Sequence, residues 1–104
     1  MRCLVCPDTG ADYCVFPASF AALLGLDILR MPKNLTSGVG STANVTYYDS
    51  LDIDLGRGIQ FHSYVGFTAG MEVHGIGLLG QTGFFDYYNV SFFRSQHRFT
   101  IETI

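Results

Sequence analysis

The chain has little charge and no tryptophan. Of its 104 residues 14% are charged and 48% are hydrophobic, and the net charge is −3. It contains no cluster of Lys and Arg, so no nucleic-acid partner is expected, because binding to a phosphate backbone requires cations. No apolar run approaches the roughly 20 residues of a transmembrane helix, so no membrane partner is expected either.

Cysteine is also scarce. Three cysteines cannot all pair internally, and no secretion signal is recognised, so a reduced, cytoplasmic location is the default expectation. Cys3 and Cys6 have the spacing of half a zinc or redox site, but no second pair follows. We therefore predict no metal and no cofactor. The length predicts one domain over 1–104, and the short segment before residue 8 suggests truncation at the N-terminus.

The abundant residues favour strands. Nine Phe, six Tyr and many Val, Ile and Thr fit a pleated sheet. A short helix is predicted over 17–25, because Pro17 suits a first turn and Gly25 a C-terminal cap. One helical turn could occur within 80–86. Strands are predicted over 3–7, 12–16, 43–55, 59–67, 71–79, 89–93 and 97–104. Together these elements predict an all-β domain, a small closed or partly open β-barrel with one short helix.

The segment Asp8-Thr9-Gly10-Ala11 carries the most chemistry. Apolar residues flank it on both sides, and a carboxylate in an apolar run is costly unless something pairs with it or uses it. By itself, the tetrapeptide is more typical of a β-turn with an Asx hydrogen bond than of a catalytic site. It occurs once, so a catalytic pair of carboxylates would need a second copy of the chain.

Four segments together resemble the retropepsin-like aspartic proteases, the single-domain homodimeric relatives of pepsin. Their order and spacing agree with that family from residue 4 to residue 102. The four segments are Asp8-Thr9-Gly10-Ala11-Asp12, Leu23-Leu24-Gly25-Leu26, Ser37-Gly38-Val39-Gly40-Ser41 and Leu78-Leu79-Gly80.

The resemblance implies a function for each segment. The chain would be a homodimeric endopeptidase that hydrolyses peptide or protein substrates, with a flap hairpin over 36–48 and Leu78-Leu79-Gly80 packed beneath the catalytic turn. One Asp8 would act as general base on a water while the other, protonated, polarises the scissile carbonyl. The implied catalytic residues are Asp8, Thr9 and Gly10, and the implied substrate contacts are Ala11, Asp12, Gly38, Val39 and Gly40.

Two residues depart from the family pattern. Pro7 precedes Asp8 directly, and proline removes a backbone donor and fixes φ. Gln81 stands where the family often has an Arg that pairs with the acid at the position of Asp12, and an amide offers no charge. These departures leave an alternative open, a catalytically inactive domain of the same fold that serves as a dimerisation or peptide-binding module.

Overall fold

A computed structural model of the protein describes residues 3–37, 43–73 and 75–104. Within these ranges strands dominate, and the only α-helix, α1, covers Ala18–Leu23. The predicted β-rich class with one short helix is thus confirmed. No helix in the described ranges is long and apolar enough to cross a bilayer. The strands are β1 (Val5–Pro7), β2 (Cys14–Pro17), β3 (Lys33–Ser37), β4 (Ala43–Gly56), β5 (Ile59–Thr68), β6 (Gly77–Leu79), β7 (Tyr88–Phe93) and β8 (Arg98–Thr103).

Six of these strands form one sheet in the order β1-β6-β2-β5-β4-β3. The β1–β6 and β2–β5 pairs are parallel, and the other pairs are antiparallel. β7 and β8 form a separate antiparallel pair. Because β1 and β3 are the two ends of the larger sheet and do not pair with each other, the described part of the chain forms an open sheet rather than a closed barrel.

The core lies against one face of β5. Phe61, Val65 and Phe67 alternate along that face and are buried, as the period-two pattern predicts. Side chains from the neighbouring strands β2 and β6, from α1 and from the segment before β7 complete the core. The buried cluster consists of Cys14, Phe16, Ala21, Phe61, Val65, Phe67, Leu79, Phe84 and Tyr88.

The predicted strand over 71–79 is wrong for most of its length, since only Gly77–Leu79 is a strand. Residues 69–71 form a short 3-10 helix, and the amide of Gly75 donates to the carbonyl of Met71, which closes a turn. Apolar composition misled the prediction, because Val73 is 89% exposed and lies in a turn.

Segment 80–86 forms hydrogen-bonded turns rather than a helix. The Phe85 amide donates to Gly80 and the Tyr88 amide donates to Phe84. Gly83 has φ +101, a conformation outside the right-handed helical region, so a continuous helix cannot pass through it.

Candidate active site around Asp8

Asp8 begins the tight turn that connects β1 to β2. Its Oδ1 accepts a hydrogen bond from the Gly10 amide at 2.9 Å, and its carbonyl accepts one from the Ala11 amide at 3.1 Å. This is a β-turn closed by an Asx hydrogen bond. No described residue donates to Oδ2, so one oxygen of the partly buried carboxylate remains available for chemistry.

β6 holds this turn from behind, because it lies between the two strands that the turn connects. The Asp8 amide donates to the Leu79 carbonyl at 2.9 Å, and the Gln81 amide donates to the Ala11 carbonyl at 2.8 Å. Both ends of the turn are therefore fixed by backbone from one distant segment. Segment 78–80 therefore packs against the turn, as the resemblance implied.

Close backbone packing at this point requires glycine. A methyl group on Gly80 would overlap the Tyr13 carbonyl and lie 2.8 Å from the Ala11 carbonyl oxygen. Two backbone segments that approach so closely leave no room for a Cβ. At the turn itself, a methyl on Gly10 would lie 3.2 Å from Asp8 Oδ1, so Gly10 keeps the carboxylate uncrowded.

Gln81 binds the turn in a way that the sequence did not suggest. Its side-chain Nε2 donates to the Thr9 carbonyl at 2.8 Å, across 72 positions of sequence. The family pattern often has an arginine here that pairs with the acid at the position of Asp12, whereas the neutral amide of Gln81 holds the turn backbone. The Asp12 carboxylate is exposed and forms no ion pair within residues 3–37, 43–73 and 75–104.

Pro7 costs the sheet no hydrogen bond. In β1 the Leu4 carbonyl and the Asp8 amide bond to β6, so the even-numbered positions face that strand. The nitrogen of Pro7 consequently points to the open outer side of β1, where proline is tolerated. The backbone donor that proline lacks is therefore not needed for the pairing of β1 with β6.

Three tyrosines that sequence reasoning missed lie beside the turn. Tyr13 follows Asp12 directly, and its ring packs edge-on against Tyr48 of β4 and Tyr64 of β5, with centroids 5.7 and 6.4 Å apart. Burial raises the pKa of Tyr48, and its electrostatic interactions with Tyr13, Tyr64 and Asp12 raise it further. The period-two pattern places Tyr48 and Tyr64 at even positions of their strands, but which strands lie beside Tyr13 is not read from any short pattern.

The structure brings Asp8, Thr9, Gly10, Ala11 and Asp12 together in one turn. The other expected substrate contacts, Gly38, Val39 and Gly40, lie outside the described residues. The arms of the expected hairpin are described: β3 and β4 pair antiparallel up to Ser37 and Ala43.

The cysteines fall in two environments. Cys3 and Cys6 are exposed, whereas Cys14 is fully buried behind the turn. Burial raises the pKa of the Cys14 thiol, and hydrogen bonds from the Gly80 and Phe84 backbones oppose the rise in part. No group of three or more His, Cys, Asp or Glu in the described ranges is placed to hold a metal ion.

A groove in the described part of the chain lies elsewhere. It has a volume of about 690 Å³ and is lined mainly by apolar side chains of β1, β2, α1 and β4, among them Phe16, Leu51 and Ile53. None of its lining residues belongs to 8–12. It is the partly uncovered core face of the sheet. Asp52 and Asp54 also line it, but they occupy the even-numbered positions of β4, which alternate with the core-facing Leu51 and Ile53.

No protein-family model, curated protein or solved structure matches the chain. The chemistry of the turn and its surroundings is therefore the basis for proposing a function.

Proposed function

We propose that the chain is an aspartic-type endopeptidase that acts as a homodimer, with Asp8 of each copy forming the catalytic pair. One observation carries this proposal. The Asp8 turn is held from behind by β6, through the Leu79 carbonyl and the backbone and side chain of Gln81, while one carboxylate oxygen has no donor in the described part of the chain. A simple surface turn needs no such support from a segment so distant in sequence.

The reaction needs two carboxylates in different protonation states. Carboxylates brought close together share a proton, since both cannot ionise easily. In the proposed dimer the ionised Asp8 removes a proton from a water that attacks the scissile carbonyl, and the protonated Asp8 of the other copy donates to the carbonyl oxygen. Activity then has an optimum in pH, because it requires one proton on the pair and is lost when the pair holds two or none.

The proposed mechanism requires self-association, because the chain carries the Asp8 motif only once. Large apolar side chains also remain exposed on the monomer, among them Leu4, Phe92 and Ile104. Exposed apolar area of this kind can be buried in an isologous interface between two copies of the chain. The substrate would be an extended peptide, bound between the turn and the β3–β4 hairpin with backbone pairing that resembles strand addition.

A second candidate is a dimerisation or peptide-binding module without catalysis. The hydrogen bond from the Gly10 amide to Asp8 Oδ1 favours it, because a purely structural Asx turn has the same bond. Both candidates predict self-association and peptide binding, and only the enzyme predicts hydrolysis.

Cleavage of casein by purified protein, from acidic to neutral pH, separates the two. Asp8→Asn keeps an acceptor for the Gly10 amide, so the turn and the fold should persist, but asparagine cannot act as a base. We expect its cleavage rate to fall by about 10²- to 10⁴-fold. The matched control is Asp27→Asn, since Asp27 caps a distant 3-10 helix through the Leu29 amide and asparagine also caps.

Three results would count against the enzyme. Equal cleavage by native protein and Asp8→Asn would mean that Asp8 is not catalytic. A native protein that sediments as a dimer yet leaves casein intact would favour the binding module, and a monomer at high concentration would exclude the paired-carboxylate mechanism.

A further inference from the structure

The face of the β4–β5 sheet opposite the core carries an aromatic surface. Tyr48 lies across from Gly66, and Ser50 lies across from Tyr64, so the two tyrosines are diagonal neighbours on one face. Their rings stack with centroids 5.3 Å apart and planes inclined by 6°. Gly66 leaves room beside the Tyr48 ring, because a Cβ there would lie 2.7 Å from Thr46 Cγ2 and 3.3 Å from Tyr48 Cε1.

Tyr13 joins this surface to the candidate active site. It packs edge-on against both stacked rings, and it is the residue that follows Asp12 in the chain. Tyr13 is 37% exposed and Tyr64 41%, whereas Tyr48 is 8% exposed. The buried ring therefore fixes the other two, and the three together form a preorganised platform with accessible aromatic area.

Asp12 provides a negative charge at the edge of this platform. Its carboxylate is exposed and forms no ion pair or hydrogen bond within the described ranges, while the Thr82 amide holds its carbonyl at 2.8 Å. The Asp12 carboxylate interacts electrostatically with Tyr48, and this interaction contributes to the raised pKa of that tyrosine. An exposed carboxylate beside aromatic faces is the combination that attracts a cation.

We propose that Tyr13, Tyr48 and Tyr64, together with the Asp12 carboxylate, form a subsite that binds the basic side chain of a lysine or arginine in an extended peptide. The aromatic faces attract the cation through their quadrupoles, and Asp12 neutralises its charge. An aliphatic side chain of equal length gains the ring contact but leaves the carboxylate without a partner. The protein's net charge of −3 favours the approach of a basic peptide.

This inference rests on the proposed function for the path of the peptide, but its test does not require cleavage. The probe is a fluorescein-labelled peptide of about eight residues, mostly alanine, valine and threonine, long enough to cross the site when extended. Each position in turn carries lysine, arginine, norleucine or citrulline. Binding to Asp8→Asn protein is measured by fluorescence anisotropy, so the probe stays intact.

At one position we expect lysine and arginine to bind about three- to tenfold more tightly than their neutral analogues, with a preference that weakens as salt is added. Asp12→Asn and Tyr64→Leu should each remove most of this preference. The matched controls are Glu102→Gln and Tyr87→Leu, an acid on β8 and an exposed tyrosine before β7. Both should retain the preference, and thermal unfolding checks that every variant is folded.

The failures of the two proposals differ. Equal binding of lysine and norleucine at every position overturns the subsite, as does a basic preference that survives both Asp12→Asn and Tyr64→Leu, or the absence of any peptide binding. Casein left intact by native protein, with the basic preference present in the binding assay, overturns the enzyme and supports the subsite. Casein cleaved at sites with no basic residue in common supports the enzyme and overturns the subsite.

Discussion

The Asp8 turn and the β7–β8 hairpin are both tight reversals of the chain, but they are stabilised in opposite ways. The turn depends on distant partners, namely the backbone of Leu79 and both the backbone and side chain of Gln81. Tyr88, Val90 and Ile101 pack against the core, but the outer part of the hairpin depends mainly on its own strands, with Phe92 packed on Phe99 at 6.1 Å and Arg98 placed over the Phe93 ring.

This difference indicates where the molecule needs precision. A side chain that reacts must be held in one place, and contacts from a second segment fix it against local fluctuation. A two-stranded hairpin alone is marginal in water, so its outer part is expected to open more easily than the turn. Predictions that perturb each region test this contrast.

The largest expected difference is in thiol accessibility. Cys14 lies fully buried behind the turn, whereas Cys3 and Cys6 are exposed. An Ellman assay on the folded protein should give two fast thiols and a third slower by about 10³-fold or more, since the third reacts only when the fold opens. Three fast thiols would mean that the turn region is loosely packed. Denatured protein, in which all three should react together, is the control.

Cys14 also predicts a pH dependence of stability. Burial raises the pKa of Cys14 in the folded state. The contribution of this thiol to the free energy of unfolding is therefore fully present below the pKa of the unfolded thiol. That contribution is lost as the pH rises from about 8.5 through the folded pKa. Urea unfolding at neutral and alkaline pH should show this decline, and Cys14→Ala should reduce it. An unchanged decline in the variant would assign it to other groups.

The next largest effect is expected for Gly80→Ala. The added methyl would overlap the Tyr13 backbone carbonyl, which cannot move without disturbing the turn, so we expect the free energy of unfolding to fall by about 3 kcal/mol. Gly58→Ala is the control, because Gly58 has φ +81 and open space around its Cβ position. It should cost about 1 kcal/mol from backbone strain alone. Equal costs would show that β6 does not pack tightly against the turn.

A smaller effect is expected for Gln81→Leu, which removes the hydrogen bond to the Thr9 carbonyl. The bond is exposed, so its loss should lower the free energy of unfolding by about 1 kcal/mol, with any catalytic activity reduced further because the turn is less well fixed. Gln96→Leu, at an exposed glutamine between β7 and β8, is the matched control and should be nearly neutral. Identical stability and activity in the two variants would remove Gln81 from the site.

Local patterns predicted much of the fold. Alternation in 59–67 placed the core face of β5, and Pro17 with Gly25 located the short helix within about two residues. The strand assigned to 71–79 failed because apolar residues there form turns, and the sequence does not reveal which apolar runs find a partner strand.

The candidate site was only partly predictable. Residues 8–12 stand next to one another in the sequence, so a motif could identify them. The roles of Gln81 and Gly80, and the clustering of Tyr13 with Tyr48 and Tyr64, depend on which strands lie side by side. Such long-range register is set by packing of the whole sheet and leaves no short pattern in the sequence.

The smallest effect is expected in the hairpin. Phe99→Ala removes a ring that is 43% exposed and stacks only on Phe92, so the free energy of unfolding should fall by less than about 1 kcal/mol. Amide exchange in β7 and β8 should nevertheless accelerate, because local opening there is limited by these contacts. Phe84→Ala, in the fully buried core, is the contrasting control and should cost about 3 to 5 kcal/mol. A cost for Phe99→Ala that approaches the control and grows with protein concentration would mean that a second copy covers the hairpin. The hairpin would then join the turn as a region stabilised by distant partners, and the contrast between them would hold only for the monomer.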